Sequence, residues 1–312
     1  MNKIITLTLN PAIDKSTIVE SLIPEKKLKC SQPKYEPGGG GINVSRAIKH
    51  LGGESTAIYL SGGYSGLFFD QLLEAEKINI RPITCKGHTR ENLIVFEQST
   101  GKQFRFGMPG PLVEKEEWEK ILNIIGDGEN IEYLVASGSI PAGLRPDIFS
   151  SLSQIAQQKN IKFIADTSGE ALQNALHEGL FLIKPNLNEL SSLVGKTELS
   201  IEEVPLLAST FIESGKCKYM VVSLGALGAM MVTDKECIQL IPPKVKSIST
   251  VGAGDSMVAG ITYSLSEGKT IHEAVKYGIA CGTAATLNPG TELCHKKDAD
   301  EIFKNIIEKK IY

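Results

Sequence analysis

The sequence predicts an α/β fold, with one mostly parallel sheet covered by helices on both faces. Three observations lead there. Short, continuous, β-rich apolar runs recur along the chain, as in strands buried on both sides. Segments with helical periodicity separate these runs, the alternation that produces parallel sheets. The chain is also long enough, at 312 residues with 42% hydrophobic, to bury a large core.

Taken in order, residues 4–9 form the first strand-like run and lead into Asn10-Pro11-Ala12-Ile13-Asp14. Further runs lie at 57–60, 131–136, 161–165, 180–183 and 219–224, and helical patterns at 43–51, 67–75, 115–125, 147–158 and 201–214. A last helical pattern covers about 299–309. Two stretches, about 14–36 and about 88–108, have no long helical period and read as strands of a small sheet projecting from the body, or as long loops. In open α/β sheets ligands bind beyond the carboxyl ends of the strands, so the segments that follow strands carry the search for function.

Composition removes several classes. The 33 Lys and Arg are balanced by 36 Asp and Glu for a net charge of −3, with no long basic run to meet nucleic acid. No stretch approaches the ~20 continuous apolar residues that cross a bilayer. The first residues lack the apolar core and small-residue cleavage site of a secretory signal, and the six cysteines are scattered as in a reducing compartment. Both point to the cytoplasm. The dispersed histidines and cysteines have no zinc spacing, and no nucleophilic Ser/His/Asp or Cys/His set is evident.

Thr250–Met257, TVGAGDSM, is the strongest local signal. Small residues run at once into a helical pattern at 256–265, so that backbone N–H groups and a helix N-terminus can converge on an anion. Asp255 beside them has the chemistry of a general base, although Gly-Asp-Ser also serves as a helix cap. Four consecutive glycines, Gly38 to Gly41, precede Asn43 and a helix. They call for close approach of a ligand or strand, or for a flexible turn. Lys184-Pro185-Asn186-Leu187-Asn188-Glu189 leaves a strand with Asn186 and Glu189 three apart. Their oxygens suit Mg²⁺ through water, or equally a cap on the next helix. Ser223–Gly228 follows another strand, and its two glycines admit a nucleotide edge or form a turn. Neither glycine loop is a dinucleotide fingerprint. Nor is there a P-loop, since Leu190 and Tyr263 stand where the earlier glycine is required.

Asn10–Asp14, Gly38–Asn43, Ser137–Pro141, Lys184–Glu189, Ser223–Gly228 and Val251–Ser256, in that order, resemble the ribokinase-like carbohydrate kinases of the phosphofructokinase B family. The resemblance covers about residues 3–295. YEPGGGGIN (35–43) and STVGAGDSM (249–257) are most similar to the branch that acts on fructose 6-phosphate. It implies one ribokinase-like, three-layer α/β/α domain over 1–312, with the two projecting stretches as a β-lid through which two copies pair. It also implies transfer of the ATP γ-phosphoryl group to a ketohexose phosphate. Asp255 is then the base, and Gly252, Ala253 and Gly254 the anion hole. Asp14, Gly39, Asn43 and Ser139 hold the sugar, while Lys27, Arg90 and Arg105 hold its phosphate. Lys184, Asn186, Ser223, Gly225 and Gly228 meet the nucleotide. Asn186 and Glu189 support Mg²⁺, and Ser249, Val251, Ala285, Asn288 and Gly290 match segments that bind K⁺. Relatives acting on tagatose 6-phosphate or fructose 1-phosphate share the layout, but many carry lysine where this chain has Gly40. A non-catalytic sugar-phosphate sensor on the same fold is the alternative from another class.

Overall fold

The computed structural model describes residues 3–145 and 147–312. The first strand, β1 (Ile4–Thr8), is apolar on both sides and lies inside the main sheet. The chain then leaves that sheet for β2 (Ala12–Val19) and β3 (Lys34–Gly38), and returns through α1 (Gly40–His50) to β4 (Thr56–Ser61). After α2 (Gly63–Ala75) and the edge strand β5 (Asn79–Thr84), it leaves again for β6 (Arg90–Glu97) and β7 (Lys102–Phe106). From there α3 (Lys115–Gly126), β8 (Tyr133–Ser137), α4 (Ile148–Gln158), β9 (Lys162–Asp166), α5 (Gly169–Glu178) and β10 (Leu180–Ile183) alternate regularly. They are followed by α6 (Leu187–Leu193), α7 (Val204–Glu213) and β11 (Cys217–Ser223). The hairpin β12 (Ala229–Val232) and β13 (Cys237–Ile241) precedes α8 (Ala253–Ser266), α9 (Ile271–Ala285), α10 (Lys296–Phe303) and β14 (Ile307–Lys310).

The main sheet has the order β14-β13-β12-β11-β10-β9-β8-β1-β4-β5. It is parallel from β11 to β5 and antiparallel from β11 to β14. Side chains alternate between its faces. Ile5, Leu7, Leu134 and Ala136 join α3 to α7 in one apolar layer, whereas Ile4, Tyr133 and Val135 pack with α1, α8, α9 and α10 in the other. The predicted three-layer architecture is therefore the one observed. Among the described residues no helix is long and apolar enough to cross a membrane.

The small sheet has the order β3-β2-β6-β7, with β2 and β6 parallel and both outer pairs antiparallel. Its register sets Asp14 opposite Asn92, Ala12 opposite Arg90 and Ile94 opposite Arg105, so both arginines share a face with Asp14. Phe104 and Phe106 lie on the other face and are exposed.

Three sequence expectations need correction. Only the ends of the 14–36 stretch are strand; residues 20–33 form an exposed loop rooted by Glu97, whose carboxylate accepts from the Leu22 N–H at 2.7 Å. The helix expected at 299–309 ends at Phe303, and residues 307–310 pair with β13 instead. The helix expected over 201–214 opens with a 3₁₀ turn at Ile201–Glu203, because Pro205 sits in the first turn of α7.

Candidate active site

The glycine run before α1 is explained first by packing. A Cβ on Gly41 would lie 2.4 Å from the Leu7 carbonyl oxygen, and one on Gly40 would lie 2.2 Å from Ser137 Oγ. The N-terminus of α1 is thus pressed onto the carboxyl ends of β1 and β8. Gly39 adds a left-handed φ of 117°, which turns the chain from the small sheet into the helix. The consequence is that Asn43, one turn into α1, is carried to the sheet's carboxyl edge.

There it meets Asp255. Asn43 Nδ2 donates to Asp255 Oδ2 at 2.9 Å, while Asn43 Oδ1 is buried with no partner among the described residues. Asp255 does not cap its helix. The cap of α8 is Gly252, with a left-handed φ of 74°, and Asp255 stands in the first turn. The residue as a whole is partly exposed. Burial nonetheless pushes its carboxyl up to about 6; the Asp166 charge adds to that, and the Asn43, Lys184 and Ser137 contacts restrain it.

The cradle beside Asp255 has donors to spare. The Ala253 N–H leans on the Thr250 carbonyl at 3.4 Å, and Ser256 N–H closes onto Gly252 at 2.8 Å. Among the described residues no bond ties the N–H groups of Gly254 and Asp255 to the protein. Lys184 Nζ lies 3.5 Å from where a Gly254 Cβ would sit, which places the ammonium beside this backbone. Lys184 is buried and pairs with Asp166 at 3.1 Å. Burial alone would lower its proton affinity; the Asp166 carboxylate outweighs that and holds it up. Ser137 Oγ in turn donates to Asp166 Oδ2 at 3.3 Å. Asp166 is therefore a neighbour of Asp255 and Lys184 that sequence reasoning did not single out, and Ser137, which opens the Ser137–Pro141 segment, was given no role of its own. Asp166 ends β9 at the sheet's carboxyl edge, and that position was the available signal.

The small sheet roofs this edge. Asp14 is buried and accepts from Asn92 Nδ2 at 2.8 Å. Burial pushes its carboxyl up, against the pull of Asn92, Arg105 and Arg90. Arg90 is half-buried and committed in part: Nε and Nη2 donate to the Asn10 carbonyl at 3.3 and 3.0 Å, and Nη1 to Met108 at 3.2 Å. Ser139 accepts from Asn10 Nδ2 at 3.0 Å, which puts it beside the same loop. Arg105 is exposed on β7. Lys27 stands exposed on the 20–33 loop.

Beyond β10, Asn186 and Glu189 form a reciprocal cap on α6, with Asn186 Oδ1 accepting from Glu189 N–H and Glu189 Oε2 from Asn186 N–H, both at 2.9 Å. That is the capping arrangement; each group keeps further lone pairs for water. Among the described residues no cluster of three or more His, Cys, Asp or Glu could hold a metal directly. Ser223 bridges to Asn186, and Gly225 and Gly228 take left-handed φ in the turn joining β11 to β12. Behind the cradle two loops are laced together. Ser249 Oγ accepts from Val251 N–H at 3.2 Å and donates to the Gly290 carbonyl at 3.4 Å. The Ala285 carbonyl accepts from Asn288 N–H at 3.2 Å, and Asn288 Nδ2 donates to the Leu293 carbonyl at 2.8 Å.

Residues 4–298 match the family model described as pfkB family carbohydrate kinase. The chain is 45% identical over 304 residues to the ATP-dependent 6-phosphofructokinase isozyme 2 of Escherichia coli (strain K12), covering 97% of this chain and 98% of that one. It resembles the crystal structure of phosphofructokinase-2 from Escherichia coli in complex with potassium, with a TM-score of 0.93 and 45% identity over 98% of this chain and 99% of that one. The structure of the same enzyme in complex with fructose-6-phosphate gives a TM-score of 0.90 and 43% identity over 98% and 99%.

Proposed function

The chain belongs to the pfkB family of carbohydrate kinases, and on that premise we propose that it transfers the γ-phosphoryl group of ATP to fructose 6-phosphate. The products are fructose 1,6-bisphosphate and ADP. The observation that carries this reading is Asp255, held by Asn43 and standing in the first turn of a helix where the N–H groups of Gly254 and Asp255 have no acceptor among the described residues.

Asp255 takes the proton of the free primary hydroxyl as its oxygen attacks the γ-phosphorus. The bond to the β–γ bridging oxygen breaks, and ADP leaves with the electron pair. A carboxyl at about 6 is still mostly ionised at pH 7, yet accepts a proton more readily than an ordinary one. Charge gathering on the transferred group meets the Gly252, Ala253 and Gly254 cradle, with the Lys184 ammonium beside it. Asp14, Gly39, Asn43 and Ser139 take the sugar hydroxyls. The unpartnered Asn43 Oδ1 supports this, because a buried carbonyl without a donor is costly and a hydroxyl would satisfy it.

Arg90 and Arg105 take the sugar's phosphate, and Lys27 joins them when its loop closes. The small sheet then acts as a lid that keeps water from competing as acceptor. Its exposed Phe104 and Phe106 support pairing with a second copy. Sedimentation of a Phe104→Asp/Phe106→Asp variant should then give half the wild-type mass, and an unchanged mass overturns the pairing.

Lys184, Asn186, Ser223, Gly225 and Gly228 line the nucleotide end. Asn186 and Glu189 would hold Mg²⁺ through water on their remaining lone pairs, where it would neutralise phosphate charge. The laced loops of Ser249, Val251, Ala285, Asn288 and Gly290 offer carbonyl oxygens suited to K⁺, which would fix the cradle's backing. Supply of both substrates, and five buried free thiols, fit a cytoplasmic site of action, which cell fractionation checks.

Gly40 supports fructose 6-phosphate over tagatose 6-phosphate and fructose 1-phosphate, because many kinases of those two sugars carry lysine there, whereas here a Cβ would lie 2.2 Å from Ser137 Oγ. Release of ADP with Mg·ATP and fructose 6-phosphate, tagatose 6-phosphate or fructose 1-phosphate tests the reading. A higher kcat/KM on fructose 6-phosphate is expected; preference for another sugar overturns the substrate, and no turnover on any overturns the kinase reading.

A further inference from the structure

Arg46 lies outside the contacts described so far, in the middle of α1 and only 4% exposed. Its Nη1 donates to two backbone carbonyls, that of Pro37 at 3.1 Å and that of Thr291 at 3.3 Å, while Nε donates to Glu76 Oε2 at 2.7 Å. The two carbonyls belong to opposite halves of the site. Pro37 immediately precedes the glycine run that delivers Asn43 and borders Asp14. Thr291 follows Gly290 on the loop laced to Ser249, and Leu293 of that loop packs on Gly252, with Cδ2 2.5 Å from where a Gly252 Cβ would sit. One nitrogen therefore ties the segment that holds the sugar-side groups to the segment that backs the anion cradle.

We propose that Arg46 is a positioning residue that fixes the spacing between the sugar-binding and phosphoryl-binding halves of the site; this rests on the kinase reading above. A buried guanidinium is a poor way to gain stability alone, because desolvation offsets much of its pairing energy. Here it satisfies carbonyls from two segments far apart in sequence and is anchored at its other end by Glu76, itself at the end of the lid-side helix α2. Only a planar fork with fixed donor directions reaches all three acceptors at once; a lysine ammonium on a flexible stem does not. Phosphoryl transfer depends on in-line placement of acceptor and donor, and a misplacement of about 1 Å can cost roughly 10²-fold. Loss of the tie leaves each half able to bind its own ligand and misaligns them for transfer. It lowers kcat with little change in either KM.

Arg46 also borders a surface pocket of about 410 Å³, lined by Lys34, Glu36, His50 and His295 among others. A small planar cation from solvent can therefore reach the space an alanine leaves, which gives a readout that loss of packing alone would not produce. The test compares wild type, Arg46→Ala and Arg46→Lys by kcat per nucleotide-binding molecule, by both KM values and by thermal midpoint. Arg46→Ala is also assayed with millimolar guanidinium or methylammonium. In Arg46→Ala the expected fall in kcat is about 10- to 100-fold, with each KM within about threefold. Guanidinium should restore most of the loss and methylammonium little. Wild-type kcat in the folded variant, a loss carried wholly by KM, absent rescue, or equal rescue by both cations overturns the proposal. If Arg46→Ala does not fold, Arg46→Lys decides it: lowered kcat at an unshifted midpoint supports the tie, and wild-type kcat overturns it. Wild-type protein that turns over no sugar phosphate instead refutes the kinase reading, and that failure is visible before any variant is made.

Discussion

The carboxyl edge of the main sheet and the inner face of the small sheet above it hold charge in opposite ways. At the edge, Lys184 is buried against Asp166, and Asp255 is bonded to Asn43 at 2.9 Å. On the small sheet Arg90 spends three donors on backbone carbonyls and Arg105 is exposed, and Lys27 stands exposed on the loop between β2 and β3. The first region is organised before any substrate arrives, as electrostatic catalysis requires. The second is part brace and part exposed charge, which on the proposed reading receives the sugar's phosphate. On the proposed reading, chemistry is placed on strand ends and a helix N-terminus, and recognition on the small sheet.

Substitutions in the two regions should therefore fail differently. Asp255→Asn keeps the shape and removes the base, so kcat should fall about 10²- to 10⁴-fold while the affinity for Mg·ADP, read by calorimetry, holds. A loss of nucleotide affinity of the same size would move Asp255 from chemistry to binding. Arg90→Ala removes a charged donor and the stitches to Asn10 and Met108. The KM for the sugar phosphate should rise roughly 10- to 100-fold with a smaller change in kcat. Arg105→Ala, at an exposed position, should raise the same KM only a few-fold. Equal effects at the two arginines would erase the distinction between brace and open surface.

Much of this was legible in the sequence, for local reasons. Continuous apolar runs gave the parallel strands, and the Gly38–Gly41 and Gly252–Gly254 segments stood out because such glycine density beside a helix start calls for close approach, which for Gly40 and Gly41 is packing on Ser137 and Leu7. What escaped was non-local. Asp166 is one residue past an expected strand, and its meaning depends on Lys184 from the neighbouring strand. Ile306 and Ile307 continue a helical spacing from Ile302, but pairing of Ile307 with Ile241 at the sheet edge overrides it. The hairpin of β12 and β13 is too short to stand out beside its glycine turn. Arg46 reads as an ordinary polar residue of an amphipathic helix until Pro37 and Thr291 are folded against it.

The central claim is that a carboxylate with proton affinity raised by burial and by Asp166 drives the transfer. The measurement that tests it most directly is the pH dependence of kcat at saturating substrates, for wild type and for Asp166→Asn. Protonation removes the base, so wild-type kcat should have an acid limb that falls about tenfold per pH unit below the pKa of this carboxyl in the substrate complex. Removing the Asp166 charge stops it raising the Asp255 carboxyl and frees Lys184 to stabilise the ionised form, so the variant's acid limb should move to lower pH. A wild-type kcat that is flat down to pH 5, or a limb that Asp166→Asn leaves in place, would contradict the account.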